Sequence, residues 1–289
     1  HANVLHHPED DRILFAVPWG DVAYVGTTDT DYQGLGSEVA ATAEDVDYLL
    51  RSCDRFFPTA GLTREDVQAT WSGLRPLISE EEGEASSVSR EHQVIAEDDG
   101  LVTVAGGKLT TFRRMAEEVV DACLPILQNR GLQRDLRKAH TASAVFPGAV
   151  GWSDWDSDEH RVQAVVEASD GILDVDSAAL LVQENGTIGI EIAALVRGEP
   201  GLGRRLMEGR AEVMAQVVWG VKREFAMTLC DVMVRRTQLF FKAKDQGLSV
   251  ARDVAERMAS MLDWDSEEIE RQIADYKEEV ARSRQWQKA

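Results

Sequence analysis

Apolar and polar residues follow two different patterns along the chain. Short alternating segments mixed with helical periods predict an α/β region over residues 1–129. Residues 130–151 are rich in charged and turn-forming residues and are predicted to be a connector. From residue 152 to 289, apolar positions recur at helical spacing almost throughout, which predicts an all-α region. The expected fold class is therefore α/β followed by an all-α domain.

The first region is predicted to contain hairpins and a capped helix. Alternating β-branched and aromatic residues flank Gly20-Asp21 and Asp99-Gly100, which predicts one hairpin at each turn. A further strand is predicted at residues 67–73 from the same alternation. Thr42, followed three residues later by Asp45, is typical of a helix start.

The second region is predicted to consist of seven helices. They are expected near residues 157–169, 176–184, 187–197, 211–225, 228–237, 248–262 and 266–284. An apolar stripe in this region is more typical of a core than of a docking surface, and comprises Val217, Val218, Val221, Phe225 and Leu229. Arg235 and Arg236 are expected on a solvated or salt-bridged face.

The most informative segment is a short strand that runs into Gly106, Gly107 and Lys108 before a long helix from Thr110. Adjacent glycines let a ligand approach the main chain, and a helix start offers unpaired N–H groups and a positive dipole end. Because Lys108 adds a charge, one interpretation is a site for an anionic or electron-rich group. The other is an ordinary turn with a surface lysine. A P-loop is excluded, since Leu109 follows the lysine where that motif needs Ser or Thr.

Arg75 is a second candidate, at the end of the strand predicted at residues 67–73 and next to Pro76. Arginine grips a phosphate or carboxylate through two parallel hydrogen bonds. The alternative is an exposed arginine in a loop. Residues 27–29 are likewise open to two interpretations, as part of a polar pocket or as a strand end.

Composition excludes several function classes. The chain has 51 acidic and 31 basic residues and a net charge of −20, which argues against nucleic acid and weakens any claim of binding to anionic lipid. Three distant cysteines predict reduced thiols, with neither a disulfide nor zinc, and the six histidines show no metal-ligand spacing. There is no run of eighteen apolar residues, so no transmembrane helix is predicted.

Several short motifs together resemble the FAD-dependent, respiratory-type glycerol-3-phosphate dehydrogenases. In order and approximate spacing they occupy residues 12–19, 26–30, 72–77, 89–92, 106–113, 146–148 and 224–237. The resemblance covers nearly the whole chain. It implies the C-terminal part of an FAD- and substrate-binding domain, with antiparallel substrate-side strands, followed by a helical C-terminal domain.

The resemblance also implies roles for the candidate residues. The cofactor would be FAD, bound by Gly106, Gly107, Lys108, Leu109 and Thr110, with main-chain N–H groups facing the flavin's pyrimidine edge. Lys108 and Arg75 would be the catalytic residues. Arg75 would hold the substrate's phosphate or reacting hydroxyl, and no metal is implied.

The implied reaction is oxidation of sn-glycerol 3-phosphate to dihydroxyacetone phosphate, with electrons passing through FAD to a quinone. The implied location is cytoplasmic, with peripheral membrane contact and homo-oligomer formation left open. The family's Gly-x-Gly-x-x-Gly motif does not occur here, so we expect the C-terminal half of a longer enzyme that is inactive alone. The competing hypothesis is a non-catalytic helical interaction module that retains a remnant of the flavoenzyme.

Overall fold

The structure is a computed structural model that describes residues 2–10, 12–36, 39–75, 91–132 and 135–288. Two compact units account for the chain. We call them the helical unit, which comprises residues 1–30, 38–72 and 147–289, and the ribbon unit, which comprises residues 31–37 and 73–146. The first hairpin thus clusters with the helical region. The domain boundaries expected from the sequence, at residues 129 and 152, stay a prediction.

A three-stranded antiparallel sheet opens the helical unit. Its strands are β1 (Asn3–His6), β2 (Ile13–Trp19) and β3 (Val22–Gly26), in that order. Trp19 lies opposite Val22, so the hairpin predicted across Gly20-Asp21 is confirmed. The side chains that the sheet buries are Leu5, Leu14 and Ala16.

Helix α1 (Ala43–Phe56) follows, and it begins as the sequence predicts. The Thr42 hydroxyl accepts a hydrogen bond from the Asp45 N–H at 3.2 Å, while the Asp45 carboxylate accepts one from the Thr42 N–H at 2.9 Å. This reciprocal capping box satisfies two N–H groups that the helix start leaves without internal partners. Tyr48 and Leu49 of α1 pack on the buried face of the sheet.

The prediction of a strand at residues 67–73 is wrong. This segment is irregular, and no ladder pairs it with another strand among the described residues. Alternation favours an extended backbone, but a strand also needs a neighbour to accept and donate its ladder hydrogen bonds. Instead the Thr70 hydroxyl donates to the Ser283 carbonyl at 2.7 Å, which anchors the segment to the helical region.

The ribbon unit combines a hairpin with one long helix. Strands β4 (His92–Ala96) and β5 (Val102–Gly106) are antiparallel, which confirms the hairpin across Asp99-Gly100. A single 3₁₀ turn (Leu109–Thr111) leads into helix α2 (Phe112–Asn129), so the α-helix begins two residues after the predicted start.

The segment after α2 is held along that helix by polar contacts. The Arg113 guanidinium donates to the Thr141 and Ala144 carbonyls, and the Asp121 carboxylate accepts the Ala139 N–H at 2.8 Å. Such contacts to main-chain groups order a segment that has no regular secondary structure of its own.

Helices dominate the rest of the helical unit. They are α3 (Asp158–Ala168), α4 (Val175–Asn185), α5 (Gly189–Gly198), α6 (Met214–Glu224), α7 (Leu239–Lys242), α8 (Ala251–Leu262) and α9 (Ser266–Ser283). A π-helix (Asp231–Arg236) stands where a helix was predicted at 228–237. All seven predicted helical segments are therefore confirmed, and the short α7 was not predicted.

The apolar stripe of this region is core, with one exception. Val217, Val218 and Leu229 are buried, but Phe225 is 85% exposed. Phe225 follows α6 in a left-handed conformation with φ of +55°, which turns its side chain away from the helix's apolar face. The prediction was wrong for Phe225 because a 3.6-residue period no longer applies once the helix has ended.

The start of the helical region crosses the loop after α4 at close range. A Cβ on Gly186 would lie 2.0 Å from the Gly148 carbonyl oxygen, and one on Gly148 would lie 2.5 Å from the Asn185 carbonyl oxygen. Gly186 also has a φ of +62°. Both positions therefore require glycine, since any side chain would force the two main chains apart.

By length and composition alone, residues Val175–Gly198 could cross a membrane, with a mean hydropathy of 1.3. The absence of an eighteen-residue apolar run had predicted no such segment. They form two helices, α4 and α5, separated at Gly186, and Leu181 and Ile192 lie fully in the core. One such segment is weak support for a membrane span.

Candidate functional site

The predicted cofactor turn has an unusual backbone that only glycine adopts without strain. Gly106 and Gly107 have φ angles of +72° and +89°. A Cβ on Gly107 would lie 2.6 Å from the Met115 sulfur and 3.1 Å from the His92 Cβ. The main chain thus passes tightly between β4 and α2, and the five predicted residues from Gly106 to Thr110 form one continuous surface turn.

Main-chain donors are available at this turn. Lys108 occupies the N-cap position of the 3₁₀ turn, and no side chain caps that turn. The N–H groups of Lys108, Leu109 and Thr110 make no hydrogen bond within the described part of the chain. Unpaired N–H groups at the start of a helical segment favour an anionic or electron-rich partner.

Lys108 is exposed and has no ion-pair partner among the described residues. This is notable in a chain of net charge −20, where carboxylates outnumber cations. Two apolar side chains beside it are also open to solvent, Leu109 at 89% exposure and Phe112 at 50%. The turn therefore presents donors, one full positive charge and apolar surface together.

A polar network that the sequence did not predict lies beside the turn. The His92 Nε2 atom lies 2.7 Å from one Glu118 carboxylate oxygen, and the Arg114 Nε donates to the other at 2.5 Å. The hydrogen bond with His92 and then that with Arg114 lower the pKa of Glu118. His92 is also paired with Gly106 in the β4–β5 ladder. It therefore links the hairpin, which precedes the turn, to helix α2, which follows it.

Arg75 is the last described residue before the segment at 76–90. It belongs to the same ribbon unit as the turn. Pro76, and the motif residues 77 and 89–90, lie outside the described residues. Residues 27–29 follow β3 as irregular chain within the helical unit, where the Asp29 carbonyl accepts a hydrogen bond from Arg12 at 2.9 Å.

The described residues contain neither a cluster that could bind a metal ion nor an activated cysteine. No group of three or more His, Cys, Asp or Glu side chains there could hold a metal ion. All three cysteines are free thiols. Burial raises the pKa of Cys53 and raises that of Cys230 to about 11, so neither is an activated nucleophile.

Two family models match consecutive parts of the chain. A model described as FAD dependent oxidoreductase matches residues 1–122, and one described as the C-terminal domain of alpha-glycerophosphate oxidase matches residues 139–269. Together with the strands, the glycine turn and the helical region, these matches define part of an FAD-dependent oxidoreductase with its C-terminal helical domain.

Similar proteins narrow the class. The chain is 33% identical over 273 residues to the glycerol-3-phosphate dehydrogenase of Synechocystis sp., covering 93% of this chain and 47% of that protein. It is 33% identical over 279 residues to the aerobic glycerol-3-phosphate dehydrogenase of Staphylococcus aureus, covering 94% and 47%. Over about half of their length, the chain is thus similar to members of the glycerol-3-phosphate dehydrogenase family.

A solved structure agrees with this assignment. The crystal structure of the glycerol-3-phosphate dehydrogenase from Bacillus halodurans, complexed with FAD, matches with a TM-score of 0.76 and 28% identity. The match covers 98% of this chain and 53% of that protein. The chain therefore spans about half the length of the relatives it matches.

Proposed function

We propose that this chain is the C-terminal half of a flavoenzyme that oxidises sn-glycerol 3-phosphate to dihydroxyacetone phosphate. The names of its relatives support this reaction, and the shared length supports a half-enzyme, since the chain covers 47% of each curated relative. The comparisons favour this enzyme over a non-catalytic interaction module. The isolated chain should then be inactive and purify without flavin, and tightly bound stoichiometric FAD would contradict that expectation.

The observation that carries the proposal is the turn from Gly106 to Thr110, whose Lys108 has no ion-pair partner in the described part of the chain. FAD, when bound, accepts the hydride removed from the substrate and then carries negative charge near its pyrimidine edge. The open N–H groups from Lys108 to Thr110 and the Lys108 ammonium fit such an acceptor in charge and hydrogen bonding. Exposed Leu109 and Phe112 add apolar surface suited to a flat ring.

Arg75 would hold the substrate. Its guanidinium can bind a phosphate, or the oxygen of the reacting hydroxyl, through two parallel N–H groups. Arginine is a poor general base, so the group that takes the hydroxyl proton is left open. An Arg75→Lys enzyme should keep its flavin but lose most of its turnover, because lysine lacks the planar fork. Wild-type kinetics in that variant would place Arg75 outside the site.

The electron acceptor and the location are finer parts of the proposal. We propose a quinone as acceptor and a cytoplasmic enzyme with peripheral membrane contact, on the resemblance to respiratory-type enzymes. The acidic surface, with a net charge of −20, gives no support to binding through anionic lipid headgroups. Reduction of a soluble quinone analogue by the flavin-loaded enzyme would test the acceptor, and failure of reduced flavin to pass electrons to it would contradict it.

The decisive experiment replaces Lys108 in the flavin-loaded enzyme. Lys108→Met should lower the midpoint potential of the flavin and slow its single-turnover reduction by substrate, because the reduced, anionic flavin loses a nearby positive charge. Lys138→Met is the matched control, since Lys138 is another exposed lysine of the ribbon unit outside the turn. An unchanged potential and rate in Lys108→Met would return the turn to a structural role.

A further inference from the structure

A cavity of about 440 Å³ lies in the helical unit, between the hairpin turn at Gly20 and helices α4, α6 and α7. Small-molecule sites in proteins have volumes of roughly 300–1,000 Å³. None of the residues from Gly106 to Thr110 lines this cavity, so it is a different place from the proposed flavin turn. The proposed function leaves it unused.

Two ion pairs hold the walls of the cavity. The Lys242 side chain is only 5% exposed, and its Nζ lies 2.9 Å from a Glu184 carboxylate oxygen. One nitrogen of the Arg210 guanidinium donates to both Asp21 carboxylate oxygens, at 2.9 and 2.8 Å, which binds the hairpin turn to the helical wall. The Lys242 and Glu184 side chains are only 5% and 18% exposed, and charges buried to this extent are tolerated only when paired. Arg210 is 14% exposed, whereas its partner Asp21 is 67% exposed.

The cations that line the cavity are all paired. Lys242 pairs with Glu184, Arg236 with Glu224, Arg235 with Asp231, and Arg210 with both Asp21 and Glu212. The lining therefore has no excess positive charge, and an anion would be bound through the N–H groups that these pairs leave unused. The chain as a whole carries −20, so its long-range field repels anions and any anion must be held by such local contacts.

Two neighbouring arginines retain unused donors. Arg235 is 58% exposed on its side chain and is paired through one nitrogen to Asp231 at 3.0 Å, which leaves its other guanidinium N–H groups available. Arg236 bonds Glu224 through Nε at 2.7 Å and through Nη2 to the Glu224 carbonyl at 2.6 Å. Both arginines lie in the π-helix, a rare local structure that is frequent at functional sites.

The lining also contains a hydrogen-bond acceptor, the side-chain oxygen of Asn185. The Asn185 Oδ1 atom is buried and has no hydrogen-bond partner among the described residues. A buried amide oxygen without a donor is costly, so a ligand hydroxyl that donates to it would be recognised. Trp19 and Trp219 add apolar ring surface to the same cavity.

We propose that this cavity binds a small hydroxylated organic anion, whose phosphate or carboxylate is held by Arg235 and Arg236 and whose hydroxyl donates to Asn185. The arginine pair supplies the planar donors that such groups accept bidentately. A neutral polyol would leave those donors unused.

Binding to this chain can be measured directly. The probes are D-glycerate for the carboxylate, glycerol 3-phosphate for the phosphate, inorganic phosphate for the bare anion, and glycerol as the neutral control. Titration calorimetry gives the affinity, and a change in the tryptophan fluorescence of the chain, to which Trp19 and Trp219 contribute, reports occupancy. We expect one of the two hydroxylated anions to bind, inorganic phosphate to bind more weakly, and glycerol not to bind.

Matched variants locate the site. Arg235→Gln should weaken binding by about tenfold or more, because it removes a charge-assisted contact. Asn185→Leu should weaken the binding of the hydroxylated anions but leave the binding of inorganic phosphate unchanged. Arg271→Gln is the control, since Arg271 is 59% exposed and paired to carboxylates on α9, outside the cavity. Lys108→Met should leave binding intact, which separates this site from the flavin turn.

Three results would overturn the proposal. They are no binding of any anionic probe, binding of glycerol as strong as that of the hydroxylated anion that binds best, and an affinity that Arg235→Gln leaves at the wild-type value. Loss of binding in Lys108→Met together with full binding in Arg235→Gln would place the ligand at the flavin turn instead.

Discussion

The turn around Lys108 and the cavity of the helical unit both use lysine, but under opposite conditions. Lys108 is exposed and unpaired among the described residues, whereas Lys242 is buried and lies 2.9 Å from Glu184. A buried cation needs a carboxylate partner, and an exposed one is stabilised by water. The difference shows that burial decides which of the two lysines must be paired within the protein.

The largest effect is expected from breaking the buried pair. Lys242→Met should lower the free energy of unfolding by about 3 kcal/mol, because it leaves Glu184 buried without its cation. Chemical denaturation of the chain measures this loss. The double variant Lys242→Met/Glu184→Leu should recover most of it. A single variant as stable as the wild type would mean that the pair does not set the stability of the cavity wall.

A smaller loss is expected from adding one methyl group at the turn. Gly107→Ala should cost about 2 kcal/mol, from the positive φ and from crowding against Met115 and His92. Gly61→Ala is the control, since Gly61 also has a positive φ, of +57°, but nothing lies within 4 Å of its Cβ position. Equal losses in the two variants, measured by denaturation, would show that the turn is not tightly packed.

The two regions should also respond to pH in opposite directions. Burial raises the pKa of Glu184 above its usual 4.5, although Lys242 opposes the rise. Its contribution to stability is therefore present below pH 4.5 and lost as the pH rises through the raised pKa. The pKa of Glu118 is lowered from 4.5 by its hydrogen bonds with His92 and Arg114, so its contribution is present above pH 4.5 and lost on acidification through the lowered pKa.

Glutamine variants isolate these two contributions. Relative to the wild type, Glu184→Gln should gain stability as the pH rises above 4.5, and Glu118→Gln should gain stability as the pH falls below 4.5. Denaturation midpoints across the acidic to neutral range give both differences. Parallel pH profiles for the two variants would contradict the assigned directions.

The smallest effect on stability is expected at Lys108 itself. Lys108→Met should change the free energy of unfolding by less than about 0.5 kcal/mol, or raise it slightly, because the cation lies at the positive end of a helical segment without a partner. Circular dichroism melts of this variant and of Lys138→Met provide the comparison. A clear destabilisation confined to Lys108→Met would reveal a structural contact that the turn depends on.

Local sequence signals predicted much of this fold because they act over a few residues. The Gly20-Asp21 hairpin, the Thr42 cap and the seven helical segments all follow from turn chemistry or from side-chain spacing. The strand expected at residues 67–73 failed because pairing depends on a distant neighbour.

The two candidate sites also differ in how far the sequence could predict them. The five turn residues are contiguous, so the sequence alone places them together. The cavity could not be predicted, because its walls join residues far apart in the chain, such as Asp21 with Arg210 and Glu184 with Lys242. Arg235 and Arg236 were expected on a solvated or salt-bridged face, and both are salt-bridged, but no local pattern shows that they also line a cavity.

The crossing of Gly148 over Gly186 has a practical consequence for dividing the protein. With the Gly148 oxygen 2.0 Å from where a Gly186 Cβ would sit, residues 147–149 fill space that α4 and its following loop leave open. Cutting the chain after Gly148 would expose that loop beside Asn185 and remove the main chain that packs against it. A helical domain prepared by itself should therefore begin before Pro147, and its first turn is as much a part of the domain as any of its helices.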